Sequence, residues 1–307
     1  MSTTELARRA HTAAEMLALQ AKMFGPDDMA ESIKSWRPRP TDIVISPFGK
    51  CGTTWLQQTF HTLRTRGDMD FDDVSRVVPW IETAKGLGLD INAPQKAEPR
   101  GFKSHLSYDM LPKGARAVVS YRDPKDAMVS MYHFMEGWFF EPGAISIADF
   151  ARMRLSNPNP RFAYWHHLVT WWEQRDNPDV LHFTYEEMSA EPERTVRRLA
   201  KFCGIPLDDA LLKLTLERSS LAYMLAHKDR FDDRMMRELS ERQCGLPKGS
   251  DSAKVRAGKI GSRRELPEGI GAMLDAKWAE TVEPRFGFRN YAAFEAAVRA
   301  HGRAAEK

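Results

Sequence analysis

The stretch from Asp42 to Trp55 limits the folds open to this chain more than any other. Ile43, Val44 and Ile45 make a short apolar run suited to a strand buried in a parallel sheet. Pro47 stops the strand, and Gly49 and Gly52 frame a tight turn around Lys50. From Thr53 the pattern reads as a helix, with Leu56, Phe60 and Leu63 on one face. A turn feeding a helix N-terminus presents unpaired backbone N–H groups and the positive end of the dipole, which suits a phosphate. Lys50 adds a mobile charge, and Thr53 and Thr54 add hydroxyl donors. The bland reading is a βα connection with an ordinary surface lysine. Pro, two Gly, Lys and a Thr pair within eight residues favour anion binding over it.

The loop is not a Walker A element. Val44 stands where that pattern needs its first glycine, and Cys51 stands where it needs the hydroxyl that ligates Mg²⁺. Triphosphate chemistry therefore loses ground. Cys51 also sits at a helix start beside Lys50, where positive potential favours a thiolate, so a lowered thiol pKa is expected.

With 307 residues, 42% of them hydrophobic, the chain can bury a sizeable core. Its net charge is +3, from 45 basic and 42 acidic residues, so no global basic field argues for nucleic acid. Cys51, Cys203 and Cys244 form no metal spacing and no even framework, which fits a reducing compartment. No apolar leader and no window apolar enough to span a membrane is read, so a cytoplasmic protein is expected. Residues 4–24 read as an amphipathic helix on Leu6, Ala10, Ala13, Leu17 and Met23.

Ala117 to Tyr121 is a second buried strand, turned by Arg122-Asp123-Pro124-Lys125-Asp126 into another helix, and Val180 to Phe183 is a third. Residues 160–175 form an aromatic-rich helix that reads as core. The segment 227–257 has few apolar anchors and many charges. It reads as a mobile lid, with plain disorder as the alternative. No internal repeat or linker appears. The expected architecture is a single α/β domain over 1–307, doubly wound, with a central parallel sheet flanked by helices and a P-loop-like turn. Residues 1–36 form a helical lead-in and 42–290 the core.

Several of these stretches together resemble the cytosolic-type sulfotransferases. Pro47 and Lys50-Cys51-Gly52-Thr53-Thr54-Trp55 are similar to that family's Pro–x–Lys–Ser–Gly–Thr–Thr–Trp loop, with one added residue and Cys51 in place of Ser. Arg122 to Phe134 resembles the family's Arg–x–Pro–Lys–Asp motif, which continues to Ser and then Tyr–His–Phe. Lys103-Ser104-His105-Leu106 resembles Lys–Thr–His–Leu, and Tyr185-Glu186-Glu187-Met188 resembles Tyr–Glu–Asp–Met. Ser219-Ser220-Leu221 to Met224 and Arg256-Ala257-Gly258 to Gly261 match two nucleotide-contacting segments, with Leu221 for Phe and Ala257 for Lys.

The resemblance implies a donor, 3′-phosphoadenosine 5′-phosphosulfate (PAPS), a product, PAP, and no metal. It implies a catalytic set of Lys50, Lys103, His105 and Ser130, with His105 as general base and His133 as its competitor. Lys50, Cys51, Gly52, Thr53, Thr54 and Trp55 would hold the 5′-phosphosulfate end and flank the base. Arg122 and Ser130 would hold the 3′-phosphate, and Tyr185, Ser220, Leu221, Arg256, Ala257 and Gly258 complete the nucleotide site. Phe48, Trp80, His105 and Phe134 would face a small hydroxylated acceptor, apolar or aromatic. The family's dimerisation motif is not legible, so monomer and homodimer stay open. A P-loop nucleotide kinase, a non-catalytic PAP-binding protein and a dehydrating branch of the family remain as rivals.

Overall fold

The computed structural model describes residues 8–306 apart from 158, 251, 256, 257 and 259. Helices α1 (Ala13–Ala21) and α2 (Asp28–Ser35) precede β1 (Ile43–Ile45). Then come α3 (Thr53–Thr65), α4 (Val74–Val77), β2 (Gly101–Lys103), β3 (Arg116–Tyr121), α5 (Pro124–Met135), α6 (Ile147–Leu155), α7 (Tyr164–Trp172) and β4 (Val180–Thr184). The remainder is helical: α8 (Tyr185–Ala190), α9 (Pro192–Cys203), α10 (Asp209–Arg218), α11 (Leu221–Ala226), α12 (Arg234–Cys244), α13 (Glu268–Thr281), α14 (Glu283–Phe286) and α15 (Tyr291–Ala304).

The four strands form one parallel sheet in the order β2-β1-β3-β4, as the doubly wound reading requires. Alternation along the strands divides the core. Val44, Phe102, Val119 and Tyr121 face Trp171, Trp172, Trp278 and Phe294 on one side. Ile43, Ile45, Val118 and Phe183 face Leu56, Phe60 and Leu63 of α3 and Leu199 of α9 on the other. The chain runs from β1 to one flank and from β3 to the opposite flank. The crevice between the carboxyl ends of β1 and β3 is therefore the switch point where such sheets bind ligands.

Two local expectations need correction. Residues 8–12 are not helical: the backbone of Ala10 bonds Phe139 and Glu141, and α1 starts only after its Thr12 cap. Pairing with 139–141 has overridden the helical pattern there. The segment 227–257 does not lack anchors either. It carries α12, which buries Met235, Met236, Leu239 and Cys244. Met236, Leu239 and Cys244 pack in a third apolar cluster with Met16 and Met23 of the N-terminal region and Trp138. These anchors are spaced on one helical face, which a count of charges conceals.

Candidate functional site

The turn after β1 is held from behind by two histidines. His105 Nδ1 lies 2.7 Å from the Pro47 carbonyl, and His167 Nε2 lies 3.0 Å from the Ser46 carbonyl. A carbonyl only accepts, so each of these nitrogens carries the proton. Lys50 then adopts φ +69 and Gly52 φ +101, both left-handed. A Cβ on Gly52 would crowd Tyr185, Met188 and the Ser120 hydroxyl at 3.3–3.4 Å, so glycine suits both the backbone angle and the space. The chain enters α3 with no side-chain cap on its first turn. Thr53 Oγ1 is buried there with no hydrogen-bond partner among the described residues. Open N–H groups and an orphaned hydroxyl at one helix start fit a phosphate.

Cys51 departs from expectation. It is fully buried, with its Sγ 3.8 Å from the Gly49 carbonyl, while its own carbonyl accepts from the Ser120 hydroxyl at 2.5 Å. Burial pushes the thiol up to about 12, outweighing the opposing pull of Arg122 and Lys50. The residue packs the loop, and the expected thiolate is not formed.

The carboxyl end of β2 brings Lys103 and His105 to the same place. The Lys103 ammonium is buried and lies over the Trp80 ring at 3.8 Å, and Trp80 meets the His105 ring edge-on at 5.0 Å. The His105 backbone N–H donates to Glu82 Oε1 at 2.6 Å, so the segment around Trp80 fixes both residues. With Nδ1–H given to Pro47, the His105 tautomer leaves Nε2 as the basic atom. Burial, and secondly the charge of Lys103, lower its pKa to about 3, so the ring is neutral.

The Lys50 ammonium rests over the Phe134 ring at 4.1 Å and is lowered to about 7, by burial first and then by Lys254. Lys103 is lowered to about 8, burial outweighing the attraction of Asp233. Two easily discharged lysines beside a neutral imidazole make a centre that gains from an incoming anion. His133 is committed elsewhere. Its Nδ1 lies 3.2 Å from Glu136 and its Nε2 2.7 Å from Glu265, so neither nitrogen is open to serve as base.

On the far side of the loop, Arg122 donates to the Lys50 carbonyl at 3.0 Å and its guanidinium lies 4.3 Å over the Tyr185 ring. Tyr185 meets Trp55 edge-on at 5.8 Å, and the Tyr164 hydroxyl fixes the Arg122 carbonyl at 2.6 Å. Ser130 is partly buried on α5. Thr54 is partly buried in the first turn of α3. Ser220 spends its hydroxyl capping α11 at Tyr223, and Leu221 is exposed. Gly258, at φ +56, passes so close to Leu221 that a Cβ would meet it at 2.8 Å. Arg256 and Ala257 lie outside the described residues. Arg263 pairs with Asp123 at 2.7 Å. Phe48 packs edge-on against Tyr164 and His167.

Sequence reasoning missed four contributors. His167 orders the loop, Tyr164 orders Arg122, and Asp233 and Lys254 enter the lysine cluster. Asp126 accepts from the backbones of Gly261 and Arg263 at 2.8 and 2.7 Å and so ties that segment to α5. Among the described residues no cluster of His, Cys, Asp or Glu is arranged to hold a metal ion, and no helix is long and apolar enough to cross a membrane.

A parallel α/β sheet with a turn fit for a phosphate, a positioned neutral imidazole and paired lysines at its switch point has the make-up of a group-transfer enzyme of the nucleotide-dependent kind. Residues 40–268 match the sulfotransferase domain, and the chain belongs to that family. It is 27% identical over 263 residues to luciferin sulfotransferase of Photinus pyralis, covering 74% of this chain and 69% of that one. Against sulfotransferase 1B1 of Canis lupus familiaris the identity is 29% over 207 residues, or 63% and 69% of the two chains. Retinol dehydratase, solved with androsterone and the inactive cofactor PAP, superposes with a TM-score of 0.68 at 19% identity, covering 89% of this chain and 94% of that one. Mouse sulfotransferase SULT7A1 with PAP gives 0.65 at 19%, covering 92% and 96%. The fold is thus that of PAP-binding sulfotransferases.

Proposed function

We propose that this protein transfers the sulfuryl group of PAPS to a hydroxyl of a small, apolar or aromatic acceptor. The observation that carries the reading is the convergence of Lys50, Lys103 and His105 on the crevice beside the phosphate-binding turn. The donor supplies a sulfuryl group on a good leaving phosphate. In-line transfer of this kind passes through a loose transition state and needs positioning and neutralised charge more than covalent help. Thr53, Thr54 and the 51–52 backbone hold the 5′-phosphate. Lys50 offsets charge on the departing oxygen, Lys103 holds sulfuryl oxygens, and His105 Nε2 takes the acceptor proton. Arg122 and Ser130 bind the 3′-phosphate, and Trp55 and Tyr185 border the nucleotide.

Trp80 and Phe134 wall the acceptor side and, with Met131 and Met135, pack against the third apolar cluster. Methionines adapt to irregular apolar shapes, which supports a hydrophobic acceptor. Three free, buried thiols support a reducing compartment, the cytoplasm. The test is incubation with PAPS labelled in its sulfuryl group and a set of phenols and apolar alcohols. Labelled sulfate esters are expected; label that stays in PAPS across the set, with no PAP formed, would sink the reading. Alkene products in place of esters would mark the dehydrating branch.

A further inference from the structure

The charge cluster around Lys103 contains two groups that the transfer described above leaves unused. Asp233 stands at the N-cap of α12 with φ +56, a left-handed angle uncommon for a residue with a side chain. An aspartate at that position ordinarily turns its carboxylate onto the first N–H groups of its helix. Here it makes no such bond. Asp73, at the start of α4, caps α12 instead, accepting from the Met235 N–H at 3.0 Å. The Asp233 carboxylate is thereby released to face the reaction centre. Its Oδ1 lies 3.6 Å from the Lys103 ammonium and 2.5 Å from that of Lys254. All three side chains are nearly buried, at 4%, 3% and 9% exposure. Lysines 103, 254 and 50 hold this carboxyl well below the usual range although burial pushes it up, so it is ionised.

A buried carboxylate beside a site for an anion opposes binding unless something else answers its charge. Lys254 is placed to do so. We propose that Asp233 and Lys254 form a charge-exchange pair for the sulfuryl site. In the free protein Asp233 holds Lys103; when the donor binds, Lys103 passes to the sulfuryl oxygens and Lys254 alone retains the carboxylate. No covalent bond changes. Both are positioning residues that act through Lys103, and the inference rests on the assignment of Lys103 to the sulfuryl group.

PAP and PAPS differ by that group alone, so their affinities separate this role from a structural one. Equilibrium binding of both to the full chain, and to Lys254→Met, Asp233→Asn and the double variant, makes the test. Lys254→Met leaves the carboxylate to Lys103, and PAPS affinity is expected to fall roughly tenfold or more with PAP affinity little changed. Lys254→Arg should restore it. Asp233→Asn removes the competitor and should raise the preference for PAPS over PAP. The double variant should recover the affinity that Lys254→Met loses. Single variants that shift PAP and PAPS alike, or a double variant as weak as Lys254→Met, overturn the pair. Retained PAP binding shows that a variant is folded. Failure of the unaltered protein to bind PAP would count against the sulfotransferase reading itself.

Discussion

Raising the pH should strip this protein of its donor long before it unfolds. Lys50 titrates at about 7 and Lys103 at about 8 in the free protein, because both ammonium groups sit where water is scarce. A bound sulfuryl or phosphate oxygen attracts only the charged forms. Each lysine therefore has to be protonated at the cost of binding energy once the pH exceeds its pKa. The phosphate monoester, with a second pKa of about 6, is already dianionic over this range and adds no slope of its own. Between pH 7 and 9 the Lys50 requirement alone weakens binding about 50-fold, and Lys103 adds about tenfold, a product of roughly 500. This figure is a ceiling, since Lys50 keeps some contact with solvent.

The assay is calorimetric titration of PAP and PAPS at half-unit steps of pH. PAP, which lacks the group assigned to Lys103, should follow the shallower Lys50 slope, so the PAPS-over-PAP preference should shrink about tenfold across the range. Lys50→Arg keeps its charge at every pH and should flatten the first component. A PAPS affinity that moves less than about threefold from pH 7 to 9, or an unaltered slope in Lys50→Arg, would refute the reasoning.

Other outcomes follow from the same geometry. His105→Ala should cost roughly 10²–10⁴-fold in turnover, as general bases do, with PAP binding preserved, whereas His133→Ala should spare turnover, as a single-turnover comparison would show. Arg122→Ala should bring PAP affinity down to that of AMP, since its guanidinium is assigned to the 3′-phosphate; a calorimetric preference that survives would remove it from the site. Mild alkylation followed by peptide mapping should modify Cys51 no faster than Cys203 or Cys244, with or without PAP. The buried rings of His167 and His182 titrate at about 3, below their unfolded value, so the unfolded chain binds more protons and stability is lost as pH falls below 6.5. Each contributes a loss of about 2 kcal/mol at pH 5, and urea midpoints flat from pH 7 to 5 would contradict this.

The fold was legible because its signals are local. Ile43 to Ile45 and Ala117 to Tyr121 are apolar on both faces, as strands covered by helices on two sides must be, and each is followed at once by turn chemistry and a helix start. The N-terminal boundary failed for the opposite reason. Residues 8–12 carry a helical pattern, but backbone bonds to a segment some 130 residues away decide their conformation. The apolar anchors of α12 in 227–257 were hidden by composition: arginine and glutamate are frequent along the helix, while Met236, Leu239 and Cys244 reach the apolar cluster.

Within the site, the same division holds. Lys50 sits in a turn whose residue types already announce anion chemistry, whereas Lys103 at the end of β2, His105 just beyond it and Arg122 after β3 stand out only through the family resemblance of their segments. Asp233 and Lys254 carry no motif, because what they do depends on which other charges the fold brings within 4 Å. An isolated N-cap aspartate reads as a helix start; only the intrusion of Asp73 turns it away from that role. The physical consequence is a centre that is costly to keep empty. Lys50 and Lys103 lose much of their basicity to burial, and one carboxylate answers two of the three lysines crowded there. Such a site is destabilised until an anion arrives, and the free energy held back in the free protein is what the dianionic phosphosulfate end of the donor would recover on binding. Under the proposed assignment, the protein selects the charged end of its donor by leaving its own lysines short of counter-charge.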